Sequence, residues 1–307
     1  MVNRLYQFLI VFLPLALVCP SVSGDEPVIR VVASFSILGN MVKEVAGDLA
    51  SVSTIVGPDS DAHLYQPTVS DARAVVEADV IFVNGLGFET WTDTLISESG
   101  TKAVVNVATT GIEPLYINGE TDPHAWNSLE NGVVYVRNIA TSMSKVMPEH
   151  SSTFASNAEV YIARIKALDS QIRTRIAELP ADGRTVVTAH DAFGYMAATY
   201  GLNFLAPQGI DTEAEPSARD LALLIKQLKS QRVAALFIEN ITSPALVQQI
   251  SNETGISVGG RLFSDALSER GGPATSYLAM FQHNFGALLD ALEAHCSGSG
   301  AGVEAAC

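Results

Sequence analysis

Apolar positions along this chain recur in two rhythms. Residues 28–34, 80–84 and 233–238 are short, nearly continuous apolar runs, the pattern of strands buried on both faces of a parallel sheet. Weaker strand signals fall at 52–56, 103–107, 184–189, 203–206 and 256–260. Between them, helical spacing runs through 37–46, 70–78, 88–98, 193–200, 217–230, 243–254 and 277–295. Ser70 reads as the cap of the second of these, and Ser217 with Asp220 has capping-box spacing. Strand and helix alternate, which predicts parallel sheets flanked by helices.

The middle of the chain breaks the rhythm. From 129 to 179 the pattern is helical, interrupted at Pro148, and from Ser151 onward it runs almost thirty residues without Gly or Pro. Val160, Ile162, Ile165, Leu168, Ile172 and Ile176 mark an apolar face, and Arg164, Lys166, Asp169, Arg173 and Arg175 a wet one. A helix of that length spans about 40 Å at 1.5 Å per residue. A coiled-coil arm is the alternative, but the βα rhythm restarts at once, which favours a rigid connector. The expectation is an α/β protein of two lobes, each with a mainly parallel sheet, joined by one long rigid helix. The lobes are placed at 25–150 and 180–307, with the linking helix at 151–179 and a Gly/Ser tail at the end.

The first 24 residues stand apart. Arg4 precedes a short apolar stretch from Leu5 to Val18, and Pro20, Ser21, Ser23 and Gly24 supply small residues for cleavage. This is the form of a secretory signal and is short for a membrane anchor. Lipidation at Cys19 is the lesser alternative, because Val18 stands where a small residue is expected. The chain is therefore expected to be a soluble exported protein. Without the leader it keeps 17 of its 18 basic residues against 33 acidic ones, about −16, which argues against nucleic acid as a partner. Cys296 and Cys307 both lie in the tail, where export permits a disulfide and equally permits two thiols.

The candidate chemistry lies in turn-like segments. His63 sits in Asp-Ala-His-Leu-Tyr-Gln-Pro, His124 in Asp-Pro-His-Ala-Trp, His190 in Ala-His-Asp-Ala-Phe-Gly and Asp265 in Phe-Ser-Asp-Ala-Leu. Three imidazoles and a carboxylate suit a divalent transition metal, Zn2+ first and Mn2+ as the alternative. Their spacing requires the fold to gather them, and His63 and His190 follow strands, where open α/β sheets place their sites. Glu239, closing the 233–238 strand, is a candidate to orient a histidine, with capping or ion pairing as alternatives. Asp122 and Asp191 border ligand candidates and share that ambiguity. Trp126 reads as packing beside the site, and His150, His283 and His295 read as structural or solvated.

These segments, with Phe-Ile-Glu-Asn around Glu239, resemble the metal-binding proteins of ABC-type zinc and manganese importers, the ZnuA/TroA-like group. The resemblance covers about residues 27 to 295, and among zinc members without a lipid anchor it is nearest the AztC type. It implies a periplasmic or surface-held receptor that binds metal between its lobes and delivers it to an ABC-type permease in the inner membrane, with the periplasm the expected location. A periplasmic metallochaperone is a further expected partner, and the chain is expected to be monomeric. Two departures stand out. Many zinc members carry a long His-rich loop before the second ligand, whereas residues 111–121 are short and lack histidine. Manganese members often have a glutamate where this chain has His190. The rival of another class is an exported zinc hydrolase, with three protein ligands, a water in the fourth position and Glu239 as base. A complete His3Asp set closes a tetrahedron and suits carriage, and no His-Glu-x-x-His helix is present. A surface adhesin has no support beyond export itself. The expected function is zinc capture rather than catalysis, with affinity falling as pH drops through the imidazole range near 6.5.

Overall fold

The computed structural model describes residues 28–180 and 183–298; the leader with Cys19, and Cys307 in the tail, lie outside them. The apolar runs become the inner strands. β1 (Ile29–Phe35) pairs in parallel with β2 (Ala50–Val56) and β3 (Val80–Val83), and β3 pairs with β4 (Val104–Val107), giving the order β2-β1-β3-β4. Every residue of β3 and all but one of β1 are buried, whereas edge strands β2 and β4 are largely uncovered. A second parallel sheet follows from β7 (Thr185–Val187), β8 (Asn203–Leu205), β9 (Ala235–Glu239) and β10 (Val258–Leu262). Read from its far edge, that sheet runs β8-β7-β9-β10, the same winding as the first. Each lobe therefore has one switch point, between β1 and β3 and between β7 and β9, where the chain's direction of travel across the sheet reverses and side chains from two loops can meet.

Helices cover the sheets: α1 (Ser36–Ala46), α2 (Val69–Glu77), α3 (Thr92–Ser99), α4 (Leu129–Val146), α5 (Ser151–Ala177), α6 (Gly194–Tyr200), α7 (Ala218–Leu228), α8 (Ala245–Thr254) and α9 (Tyr277–Gly298). The cap of α2 is Thr68 rather than Ser70. Its side chain accepts from the Asp71 amide while Asp71 accepts from the Thr68 amide, a reciprocal box that starts the helix one residue earlier. Ser217 caps α7 through Asp220 as the spacing implies.

Pro148 sits in a 3-10 turn that separates α4 from α5. The 27-residue α5 buries Phe154, Ala158, Tyr161, Ile162, Ile165, Leu168, Ile172 and Ile176 against α1, α4 and α9. Val160 does not belong to that face; it is 62% exposed, because the buried stripe runs from Ala158 to Tyr161 and Ile162 and passes it by. One continuous core joins β1, α1, α4, α5 and α9 to residues of the second lobe, and a smaller cluster lies under α7 and α8. Gly132 admits this packing on α4: a Cβ there would meet the Tyr277 hydroxyl at 2.5 Å. Tyr277 uses that space to donate to the Trp126 carbonyl at 2.7 Å.

One element escaped the periodicity. Residues 111–121 hold a small antiparallel hairpin, β5 (Tyr116–Ile117) and β6 (Glu120–Thr121). Asn118 and Gly119 turn it with φ of +53° and +92°, the two left-handed residues of a type I′ turn.

Candidate metal centre

The four candidate side chains, separated by up to two hundred residues, converge between the switch points of the two sheets. His63 arrives on the loop after β2, His124 just past the hairpin, His190 three residues after β7 and Asp265 three residues after β10. One ligand atom from each lies within 4.8 Å of the others, and among the described residues this is the one such grouping of His, Cys, Asp and Glu. His63 Nε2 is 3.3 Å from His124 Nε2 and 3.4 Å from Asp265 Oδ2. His190 Nε2 is 3.2 Å from Asp265 Oδ2, and His124 Nε2 is 3.7 Å from Asp265 Oδ1. His124, His190 and Asp265 are wholly inaccessible and His63 is 8% exposed.

For His124 and His190, neighbours dictate which ring nitrogen points inward. Asp122 Oδ1 lies 2.8 Å from His124 Nδ1 and also accepts the His124 amide at 2.9 Å. Glu239 Oε2 lies 2.6 Å from His190 Nδ1, while its Oε1 accepts the amides of Ala189 and His190 at 2.8 and 2.9 Å. A carboxylate facing Nδ1 keeps the proton on that nitrogen, so the Nε2 lone pairs of His124 and His190 are free to face the centre. Glu239 can do this because it ends β9 at the switch point beside β7. The Asp122 carboxylate is wedged beside Gly194, where a Cβ would come within 2.5 Å of its Oδ2.

Electrostatics mark the same point. Both Asp265 oxygens and His190 Nε2 are buried without a hydrogen-bond partner, a cost that bound metal would remove. Burial works against the His190 charge, yet Glu239 and Asp265 outweigh it and raise its pKa well above the usual imidazole value. Burial likewise works against the Asp265 charge, and the imidazoles of His190 and His124 nonetheless hold its carboxyl well below the usual range. Asp191 is pushed up by burial and then by Asp122. Three carboxylates, Asp122, Glu239 and Asp265, thus surround three imidazoles, an environment that would favour a bound cation.

The support reaches deep into the first lobe. Phe88 packs edge-on against His63 at 4.9 Å and against Trp126 at 4.6 Å. Trp126 is fully buried and donates to the Ser264 carbonyl at 2.8 Å, one residue before Asp265. Asn84, at the end of β3, donates to the Pro123 carbonyl at 2.9 Å and accepts from Tyr135. Glu89, whose pKa is raised by burial, accepts the Asn84 amide at 2.7 Å and the Ser34 hydroxyl. Neither Asn84 nor Glu89 stands out in the sequence; the one signal was a polar pair flanking the Gly-Leu-Gly that ends a buried strand. On the solvent side a cavity of about 620 Å³ opens beside His63, walled by Leu86, Tyr116, Glu120 and Asp211. His150, His283 and His295 lie outside the group; His283 Nε2 contacts the Arg261 carbonyl at 2.9 Å.

Comparisons agree with this architecture. Residues 31–291 match the family described as the periplasmic zinc-uptake complex component A. The iron-binding protein YfeA of Yersinia pestis is 34% identical over 82% of this chain and 82% of its own length. The manganese-binding lipoprotein MntA of Halalkalibacterium halodurans is 30% identical over 88% of this chain and 90% of its own. The solved structure of the periplasmic zinc-binding protein TroA from Treponema pallidum superposes with a TM-score of 0.83 at 30% identity, covering 86% of this chain and 99% of its own. These similar proteins are named for three different metals, so overall identity does not select among them.

Proposed function

The chain belongs to the periplasmic zinc-uptake component A family, and from that premise we propose that it captures zinc between its lobes and presents it to the membrane permease of an ABC importer. The family is named for metal uptake rather than catalysis, and further relatives, such as PsaA of Streptococcus pneumoniae, are named as substrate-binding lipoproteins of metal ABC transporters. On this reading residues 25–150 and 180–307 act as the two lobes, braced by 151–179. His63, His124 and His190 bind through Nε2, and Asp265 supplies the oxygen. The carrying observation is the cluster itself: three imidazole nitrogens and one unpartnered carboxylate, buried, with contacts of 3.2, 3.3, 3.4 and 3.7 Å. A tetrahedron with zinc bonds of 2.0–2.1 Å has edges of about 3.4 Å. Three of the contacts are already at that edge length, and the whole set, with its ligand atoms within 4.8 Å of one another, would draw in to close on zinc. Nitrogen-rich, four-point binding also fits zinc better than the oxygen-rich octahedron that manganese prefers.

Manganese or iron is the second reading. It is favoured by the relatives' names and by the fact that both Asp265 oxygens face the histidines, which permits a fifth bond. X-ray absorption at the zinc edge separates the two. The proposal expects four nitrogen and oxygen neighbours near 2.0 Å with imidazole scattering; five or six neighbours at longer distance would contradict it.

A further inference from the structure

The loop that carries His63 is fastened to the second lobe by groups that take no part in the ligand cluster. The Asp59 amide donates to the Leu267 carbonyl at 2.9 Å. Its Oδ2 accepts the Glu269 amide at 3.1 Å, and its Oδ1 accepts the Asn240 side-chain amide at 3.0 Å. Asn240, directly after β9, also reaches the Ala266 carbonyl at 3.2 Å. Two residues beyond Asp59, Asp61 accepts the Thr212 hydroxyl at 2.6 Å with one oxygen and the His63 amide at 2.9 Å with the other. Asp59 thus joins the His63 loop to residues 266–269, which follow Asp265 directly. Its backbone is left-handed, with φ of +49°, a conformation aspartate tolerates better than most residues. That twist is what turns both its amide and its carboxylate toward the other lobe.

We propose that Asp59, with Asn240, is a clasp that holds the lobes closed around the centre before metal arrives, and that its release gates metal exchange. The proposal rests on the metal-site reading above. Two observations beyond the hydrogen bonds carry it. Three of the four ligand candidates are wholly inaccessible and the fourth borders a cavity, so those three are uncovered only when loops from the two lobes part. The 3.4 Å contact between His63 and Asp265 also exists only while their two loops keep register across the cleft. A binding-competent state populated in advance raises apparent affinity in proportion to its population. A clasp built from non-ligand residues supplies that population without altering the ions the site accepts. Asp59 is accordingly a positioning residue for both lobes.

The test uses Asp59→Gly, which removes the carboxylate while accepting the left-handed backbone, and Asn240→Ala as an independent second variant. Peptide-resolved hydrogen exchange on the metal-free full chain reads two other bridging amides. These are Leu267, donating to Ser36 Oγ at 3.0 Å, and Tyr277, donating to Asn40 Oδ1 at 2.9 Å. Leu267 touches Asp59 through its own carbonyl, so a purely local role can loosen it, but that role leaves Tyr277 unchanged. The clasp predicts that both exchange about tenfold faster in Asp59→Gly, the scale of a lost charged hydrogen bond. It predicts a similar acceleration of zinc release to excess chelator, and a double variant less affected than the product of the singles. Asp59→Asn tolerates the backbone but keeps one of the two accepting oxygens, so it behaves between the parent and Asp59→Gly. Unchanged exchange at Tyr277 overturns the clasp whatever Leu267 and the metal do. Faster exchange with unchanged zinc release overturns the gate. Faster exchange in a protein whose parent takes no zinc supports the clasp and overturns the metal site instead.

Discussion

Replacing Glu239 by glutamine tests how the centre is assembled without touching a ligand candidate. Glutamine keeps the carbonyl oxygen that can accept the amides of Ala189 and His190, now at 2.8 and 2.9 Å. What changes is the group 2.6 Å from His190 Nδ1, which becomes an N–H donor. His190 then keeps a short contact only by moving its proton to Nε2, the nitrogen proposed to bind metal. Losing one charge-assisted contact and the tautomer it holds costs about 2 kcal/mol, or about thirtyfold in zinc affinity. A second effect opposes the first. Without the Glu239 charge, the raised His190 pKa falls, and protons compete less well with zinc. The deficit is therefore largest at pH 8.5 and shrinks toward pH 6, so the variant has a flatter pH profile than the parent. Competition against a chelating indicator across that range measures both features. A variant that binds zinc like the parent at pH 8.5, with the same slope, would refute the assigned role of Glu239.

Other consequences follow from the same geometry. His63→Ala, His124→Ala and His190→Ala each lower zinc affinity by more than a hundredfold while circular dichroism of the metal-free protein stays as in the parent; parental affinity in all three sinks the ligand set. Gly194→Ala drives a methyl into Asp122 Oδ2, displacing the partner of His124, and lowers affinity about tenfold in the same titration. For the metal-free protein, the raised His190 pKa means stability fully present below the unfolded imidazole value near 6.5 and lost as pH rises through the folded value. Its Tm should thus fall into the alkaline range, whereas the zinc-loaded Tm, with His190 already neutral, should not. Zinc affinity itself falls about tenfold per pH unit below the His190 pKa, since at least one proton must leave.

The sequence made some of this legible and hid the rest for identifiable reasons. Inner strands β1, β3 and β9 are readable because burial on both faces leaves an unbroken apolar run. Helix α5 is readable because nothing in it breaks the 3.6-residue period, though periodicity alone mistook exposed Val160 for core. The hairpin β5–β6 was passed over because its strands are two residues long; the Asn118-Gly119 pair was its signal. The ligand candidates were found through their local motifs, not through spacing. Asp59, Asn84 and Glu89 were invisible for the opposite reason. Most of their partners lie in other elements, up to 210 residues away for Asp59 and Glu269, and no local pattern predicts such pairs. The shared strand order of the two sheets likewise exists only in three dimensions.

The central claim is that this chain holds one zinc ion in a closed site of three histidines and an aspartate. Its most direct test is the metal content of the protein without its leader, followed by competitive titration with zinc and manganese against one chelating indicator at fixed pH. One tightly held zinc per chain, displaced by manganese only in large excess, is the predicted result. Equal or tighter binding of manganese would contradict the choice of cargo, and no tightly bound metal would contradict the site.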